Sequence, residues 1–138
     1  VYTADELGEW YRPYSDPVPL AWEEKYEGLR DYYRKLIALR KEVASLHSRQ
    51  WLPLTVNPSR QLYAYVRYLE PSGAPVLVLL NFSDEDVEAE VVLPDEFQAL
   101  AEGGTLLDLL ADEQVQVSGA SPSRIAMPAF TARIMRQA

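Results

Sequence analysis

Between Glu23 and Leu46 the apolar residues fall at Tyr26, Leu29, Tyr33, Leu36, Ile37, Leu39 and Val43, mostly three or four positions apart. That spacing predicts an amphipathic helix over this stretch. Glu23, Glu24 and Glu27 gather at its start and Arg40 and Lys41 near its end, matching the helix dipole. Gly28 costs about 1 kcal/mol against alanine inside a helix, so the ordered helix is expected to begin nearer Gly28 than Glu23.

Beyond Leu46 the period shortens to two. Short runs of apolar and β-branched residues alternate with clusters of Pro, Gly, Ser and Asp, which predicts strands at 51–56, 62–69, 76–82, 87–93, 105–110, 115–117, 124–127 and 130–135. Leu62 to Leu69 and the continuous apolar run from Val76 to Phe82 flank the turn Pro71-Ser72-Gly73 and read as a hairpin. In Val87 to Leu93 the residues Val87, Ala89, Val91 and Leu93 alternate with Glu88 and Glu90, giving one dry and one wet face. Asp95 to Ala101 reads as a turn of helix between strands. The fold class expected is mainly β with one long N-terminal α-helix: an antiparallel, Greek-key-like β-sandwich of about eight strands.

Residues 1–22 differ. Trp10, Tyr11, Tyr14 and Trp22 stand among Pro13, Pro17 and Pro19, a proline density that forbids helix and predicts a long loop, with a short strand at Val1 and Tyr2. The sequence opens on Val1, in what reads as the middle of a protein, and a piece of a longer polypeptide is expected. With 138 residues there is room for one domain but not for an enzyme barrel of roughly 250.

Charge narrows the partners. The net charge of −8 repels phosphate backbones and anionic lipid, so neither nucleic acid nor membrane is an expected partner. The longest nearly apolar run, Ala74 to Leu80, is far short of the roughly 20 residues of a membrane span. No cysteine is present, which excludes disulfides, thiolate nucleophiles and thiolate metal sites. The six glycines form no phosphate-cradling loop, and no cofactor is expected.

Catalysis by paired carboxylates requires two acids held across a cleft. Asp84-Glu85-Asp86, Asp95-Glu96 and Asp112-Glu113 fall at predicted turns and read as solvated charge, whereas Asp5-Glu6 follows a strand end inside the aromatic segment. Ser83-Asp84-Glu85-Asp86 lacks the glycine and spaced glutamate of a calcium loop. His47, the single histidine, lies at the predicted helix end and suits the dipole better than a zinc site or a triad. Trp10, Tyr11, Tyr14, Trp22 and Trp51 either form a platform for sugar rings or cover the helix and the sandwich.

Taken in order, these pieces resemble the end of an α-amylase family enzyme, glycoside hydrolase family 13. Tyr2-Thr3-Ala4-Asp5-Glu6-Leu7-Gly8 resembles the segment after the eighth barrel strand, Asp16-Pro17 and Trp22 the following loop, and Tyr33 to Lys41 the last barrel helix. Tyr63 to Arg67 with Val76 to Ser83 resembles the first hairpin of the sandwich called domain C, and Leu106 to Leu110 with Met127 to Ile134 its closing strands. Ala4 stands where the family often has glycine, and Val18, Pro19 and Leu20 where an arginine often follows Asp-Pro. The resemblance implies that residues 1–47 are a barrel remnant and 48–138 a β-sandwich. It further implies that the three catalytic carboxylates lie on earlier strands absent from this chain, leaving no catalytic residue and no metal ligand here. Asp5, Glu6, Trp10, Tyr11, Asp16 and Trp22 are then expected to border the substrate cleft. The partners implied are the parent's catalytic barrel and an α-glucan or malto-oligosaccharide. An isolated fragment is expected to dimerise through the helix, and a stand-alone carbohydrate-binding module built on the Trp and Tyr residues is the rival reading.

Overall fold

The computed structural model describes residues 23, 25–71, 73–118 and 122–138. The chain divides into two units at the Leu39–Arg40 boundary. The expected strand at Val1 and Tyr2 and the loop over 1–22 lie outside the described residues.

Gly28 adopts φ 82°, a left-handed conformation that glycine tolerates and that ends the preceding turn, so helix α1 runs Leu29–Glu42. The predicted helix stops short of Leu46. Val43 takes an extended conformation (φ −97°, ψ 105°), and a separate short helix, α2, covers Ala44–His47. The interruption follows from what α2 must do. Ser45 is buried and its hydroxyl donates to the Ala74 carbonyl, while the Arg67 guanidinium donates to the carbonyls of Leu46 and Ser48. Those two anchors dock α2 on the sheet and satisfy carbonyls that a helix end leaves open.

Nine strands follow: β1 Trp51–Pro53, β2 Thr55–Asn57, β3 Leu62–Leu69, β4 Gly73–Asn81, β5 Val87–Val92, β6 Thr105–Asp108, β7 Glu113–Ser118, β8 Ser123–Met127 and β9 Ala132–Gln137. The eight predicted runs become nine because the first divides at Leu54. All pairings are antiparallel, in the order β1-β3-β4-β9-β6-β7-β8-β5-β2. A six-residue 3-10 helix, Asp95–Leu100, joins β5 to β6. The last strand starts two residues later than predicted. Phe130 has φ 47° and is exposed, a turn conformation that bulky residues seldom adopt.

Two segments turn the sheet into a sandwich. The stretch 51–57 pairs with β3 through β1 and with β5 through β2, so one extended segment closes both edges. β7 likewise pairs with β6 in its first half and β8 in its second. The layers are thus β1-β3-β4-β9-β6 and β8-β5-β2. Between them the inward row Leu62, Ala64, Val66, Leu77, Leu79, Ala89, Val91, Leu106, Ile125, Met127 and Met135 forms the core. Phe97, on the 3-10 helix, packs on Tyr68 with ring centroids 5.2 Å apart and joins that core.

The outer faces of the layers differ. On the second layer Glu88, Glu90 and Arg124 face water, with Arg124 3.2 Å from Glu90 and 3.9 Å from Glu88. On the first layer the outward positions of β4 and β9 carry Val76, Val78 and Ile134, all buried though outside the inner core.

Candidate functional site

Asp5, Glu6, Trp10, Tyr11, Asp16 and Trp22, the residues expected to border a cleft, all lie outside the described residues, as does Tyr14. Of the proposed aromatic platform, Trp51 is described.

Trp51 stands on β1 opposite Arg67, and Pro53 opposite Tyr65, so the outward row of β1 and β3 brings together Trp51, Tyr65 and Tyr63. Trp51 meets Tyr65 edge to face, with centroids 6.1 Å apart and planes at 86°. Tyr63 lies 5.7 Å from Tyr65 at 46°. Trp51 is 50 % exposed and Tyr63 42 %, leaving ring surface open to a ligand. Burial pushes the Tyr65 phenol above its ordinary range, opposed by the Arg67 guanidinium and assisted by Tyr63. Sequence reading found a tyrosine-rich strand here but did not join it to Trp51. The signal was available, because Tyr63 and Tyr65 are two apart and therefore share a face.

The acidic clusters serve the fold. Asp86 Oδ1 accepts from the Ala129 amide at 2.8 Å, and Glu85 Oε2 accepts from Gln61 Nε2 at 3.0 Å. Asp95 Oδ1 accepts from Gln98 Nε2, and Asp112 sits exposed in the β6–β7 turn at φ 57°. The expected solvated turn charges are thus in part loop ties. Glu113 lies on β7 and accepts from Arg133 Nη1 at 2.8 Å. His47 ends the short helix α2 rather than the long helix it was expected to close. Among the described residues no group of three or more His, Asp or Glu is arranged to hold a metal.

Two charged residues occupy inward positions and escaped sequence reading. Asp108, 1 % exposed, accepts from Arg133 Nη1 at 2.9 Å and from the Leu110 and Ile134 amides. A charged residue in Leu106-Leu107-Asp108-Leu109 at a dry position was the available signal. With Arg133 held between Asp108 and Glu113, both carboxylates are occupied as acceptors, which fits a strand tie rather than a proton donor. Asn81, also buried, binds the loops at the end of β4. Its Nδ2 donates to the Glu85, Met127 and Pro128 carbonyls, and its Oδ1 accepts from the Ser83 amide and hydroxyl. A shallow depression of about 550 Å³ is lined by Asn57, Pro58, Ser59, Arg60 and Gln61 and holds no carboxylate. The described residues therefore offer a stacking surface and structural ties, and a smaller depression of about 170 Å³ carries Glu70 and Glu96 in its lining beside Tyr68 and Phe97.

Comparison with known proteins fits this geometry. No family model matches the chain. It is 33 % identical over 123 residues to neopullulanase 2 of Thermoactinomyces vulgaris, which covers 83 % of this chain and 19 % of that protein. The chain thus spans about a fifth of that relative's length. Among solved structures, a noncanonic maltogenic α-amylase, AmyB from Thermotoga neapolitana, superposes with a TM-score of 0.70 over 98 % of this chain and 32 % of its own, at 16 % identity. AmyP, solved in complex with maltose, gives 0.64 over 88 % of this chain and 22 % of its own, at 17 % identity. The α-amylase from H. orenii gives 0.55 over 80 % and 20 %, at 17 % identity. The β-rich fold is the one the resemblance implies for domain C.

Proposed function

The chain is a relative of α-amylase family glycoside hydrolases that spans a small part of their length, and from that premise we propose that it is the non-catalytic C-terminal portion of an α-glucan-acting enzyme, bracing the catalytic barrel. Residues 1–47 then supply the last barrel strand, loop and helix, and 48–138 the β-sandwich. Asp5, Glu6, Trp10, Tyr11, Asp16 and Trp22 border the substrate cleft of the whole enzyme, which acts at α-glucosidic bonds with retention of configuration.

One observation carries the bracing role: the outward residues Val76, Val78 and Ile134 of the first layer are buried, while the second layer turns Glu88, Glu90 and Arg124 to water. An antiparallel sheet that faces solvent alternates apolar with polar residues, so a strand such as β4, apolar on both sides, belongs under a covering body. Burial of this row contributes roughly 25 cal/mol per Å² of apolar surface removed from water.

The test is to assay the 138-residue chain and the longer polypeptide that carries it for reducing-sugar release from malto-oligosaccharide. No release by the chain and retained-configuration products from the longer polypeptide are expected. Release by the purified chain that disappears in Asp5→Asn or Glu6→Gln would overturn the non-catalytic assignment.

A further inference from the structure

The open edge of the first layer points to a use of its own. We propose that Trp51, Tyr65 and Tyr63 form a ledge that binds a linear, uncharged oligosaccharide by stacking sugar faces on the exposed rings.

The three side chains stand in one outward row, with successive ring centroids at 6.1 and 5.7 Å, on the β1 and β3 side of the layer, where Trp51 and Tyr63 are half exposed. An open row of rings suits a chain of repeating units better than a compact ligand, which needs enclosure. Trp and Tyr join an apolar face to a polar tip, the combination that a sugar ring presents in reverse, and they lose little freedom when they bind. Trp51 and the partly buried Tyr65 meet with their planes at 86°, a contact that orients Trp51 before any ligand arrives.

Charge selects among the ligands that stack on aromatic rings. Single-stranded nucleic acid needs a cationic groove beside the rings. Here the nearest outward cation on β3, Arg67, spends its guanidinium on the Leu46 and Ser48 carbonyls, and the whole chain carries −8. A neutral ligand remains. The choice of an α-linked glucan rests on the function proposed above, whereas the ledge itself rests on the ring geometry.

Isothermal titration calorimetry of the full 138-residue chain with maltoheptaose, and separately with cellohexaose, tests both parts. Maltoheptaose binding is expected, weakened about tenfold or more by Trp51→Ala and by Tyr63→Ala but largely retained in Trp51→Tyr. Far-UV circular dichroism identifies any variant that has unfolded, and Tyr63→Ser at the same exposed position then replaces it. Binding of cellohexaose alone, lost in the same variants, would keep the ledge and overturn the α-glucan reading. Absence of binding to either sugar by the folded chain, or affinity unchanged in Trp51→Ala, would overturn the ledge and leave the bracing role standing. Protection of Trp51 from acrylamide quenching in the longer polypeptide without sugar would also overturn it, by making the row an internal contact.

Discussion

Arg133 is 8 % exposed and its charge is balanced at Nη1 by Asp108 and Glu113. Removing the buried partner leaves the cation with the half-exposed Glu113 alone, and breaking a buried pair costs up to about 3–5 kcal/mol. Asp108→Asn is therefore expected to lower the thermal midpoint sharply. Glu113→Gln, at a half-exposed side chain, is expected to cost less than about 1 kcal/mol. Scanning calorimetry of the two variants checks the contrast, and equal losses would contradict it. Tyr65 gives a pH signature. Its phenol is raised above 10.0 in the folded chain, chiefly by burial, so the folded state holds that proton more firmly than the unfolded state does. Its contribution is full below pH 10.0 and is lost as pH rises through the folded value. Denaturant titrations at pH 8 and pH 11 should show a smaller alkaline loss in Tyr65→Phe than in the unmodified chain.

At the scale of elements, Gly73 shows how the strands and α2 constrain one another. A Cβ there would lie 2.8 Å from Leu69 Cβ and 2.9 Å from Ser45 Oγ, at the closed end of the β3–β4 hairpin under α2. Gly73→Ala should destabilise by about 1–3 kcal/mol through overpacking, read from the urea midpoint. An unchanged midpoint would show that α2 yields freely. The same region shows what was legible in advance. β3 matched its predicted bounds because Leu62, Ala64 and Val66 alternate cleanly with Tyr63, Tyr65 and Arg67. The helix start was also legible, since Gly28 is a local signal. The break at Val43 was not, because the apolar period continues through it and the cause is a distant bond from Ser45 to Ala74. Asp108 and Arg133 were equally hidden, since each is an ordinary charge until the β6–β9 register sets them side by side. The aromatic ledge stood between these cases, with period two placing Tyr63 beside Tyr65 and only the β1–β3 register adding Trp51.

At the scale of the molecule, two apolar faces set the behaviour of the chain. No residue of α1 is fully buried, and Ile37 is 45 % exposed. The isolated chain is expected to self-associate through this helix, giving a concentration-dependent sedimentation coefficient that Ile37→Glu abolishes. A coefficient unchanged over a wide concentration range would contradict this. The second is the apolar outward row of β4 and β9, already covered within this chain, on which the bracing role rests. Its most direct test is thermal inactivation of the longer polypeptide with Val78→Asp, compared with Val92→Asp at an exposed position of the second layer. Val78→Asp is expected to lower the temperature at which glucan hydrolysis is lost, while Val92→Asp leaves it nearly unchanged. Hydrolysis that persists to the original temperature after Val78→Asp has unfolded the sandwich would contradict it.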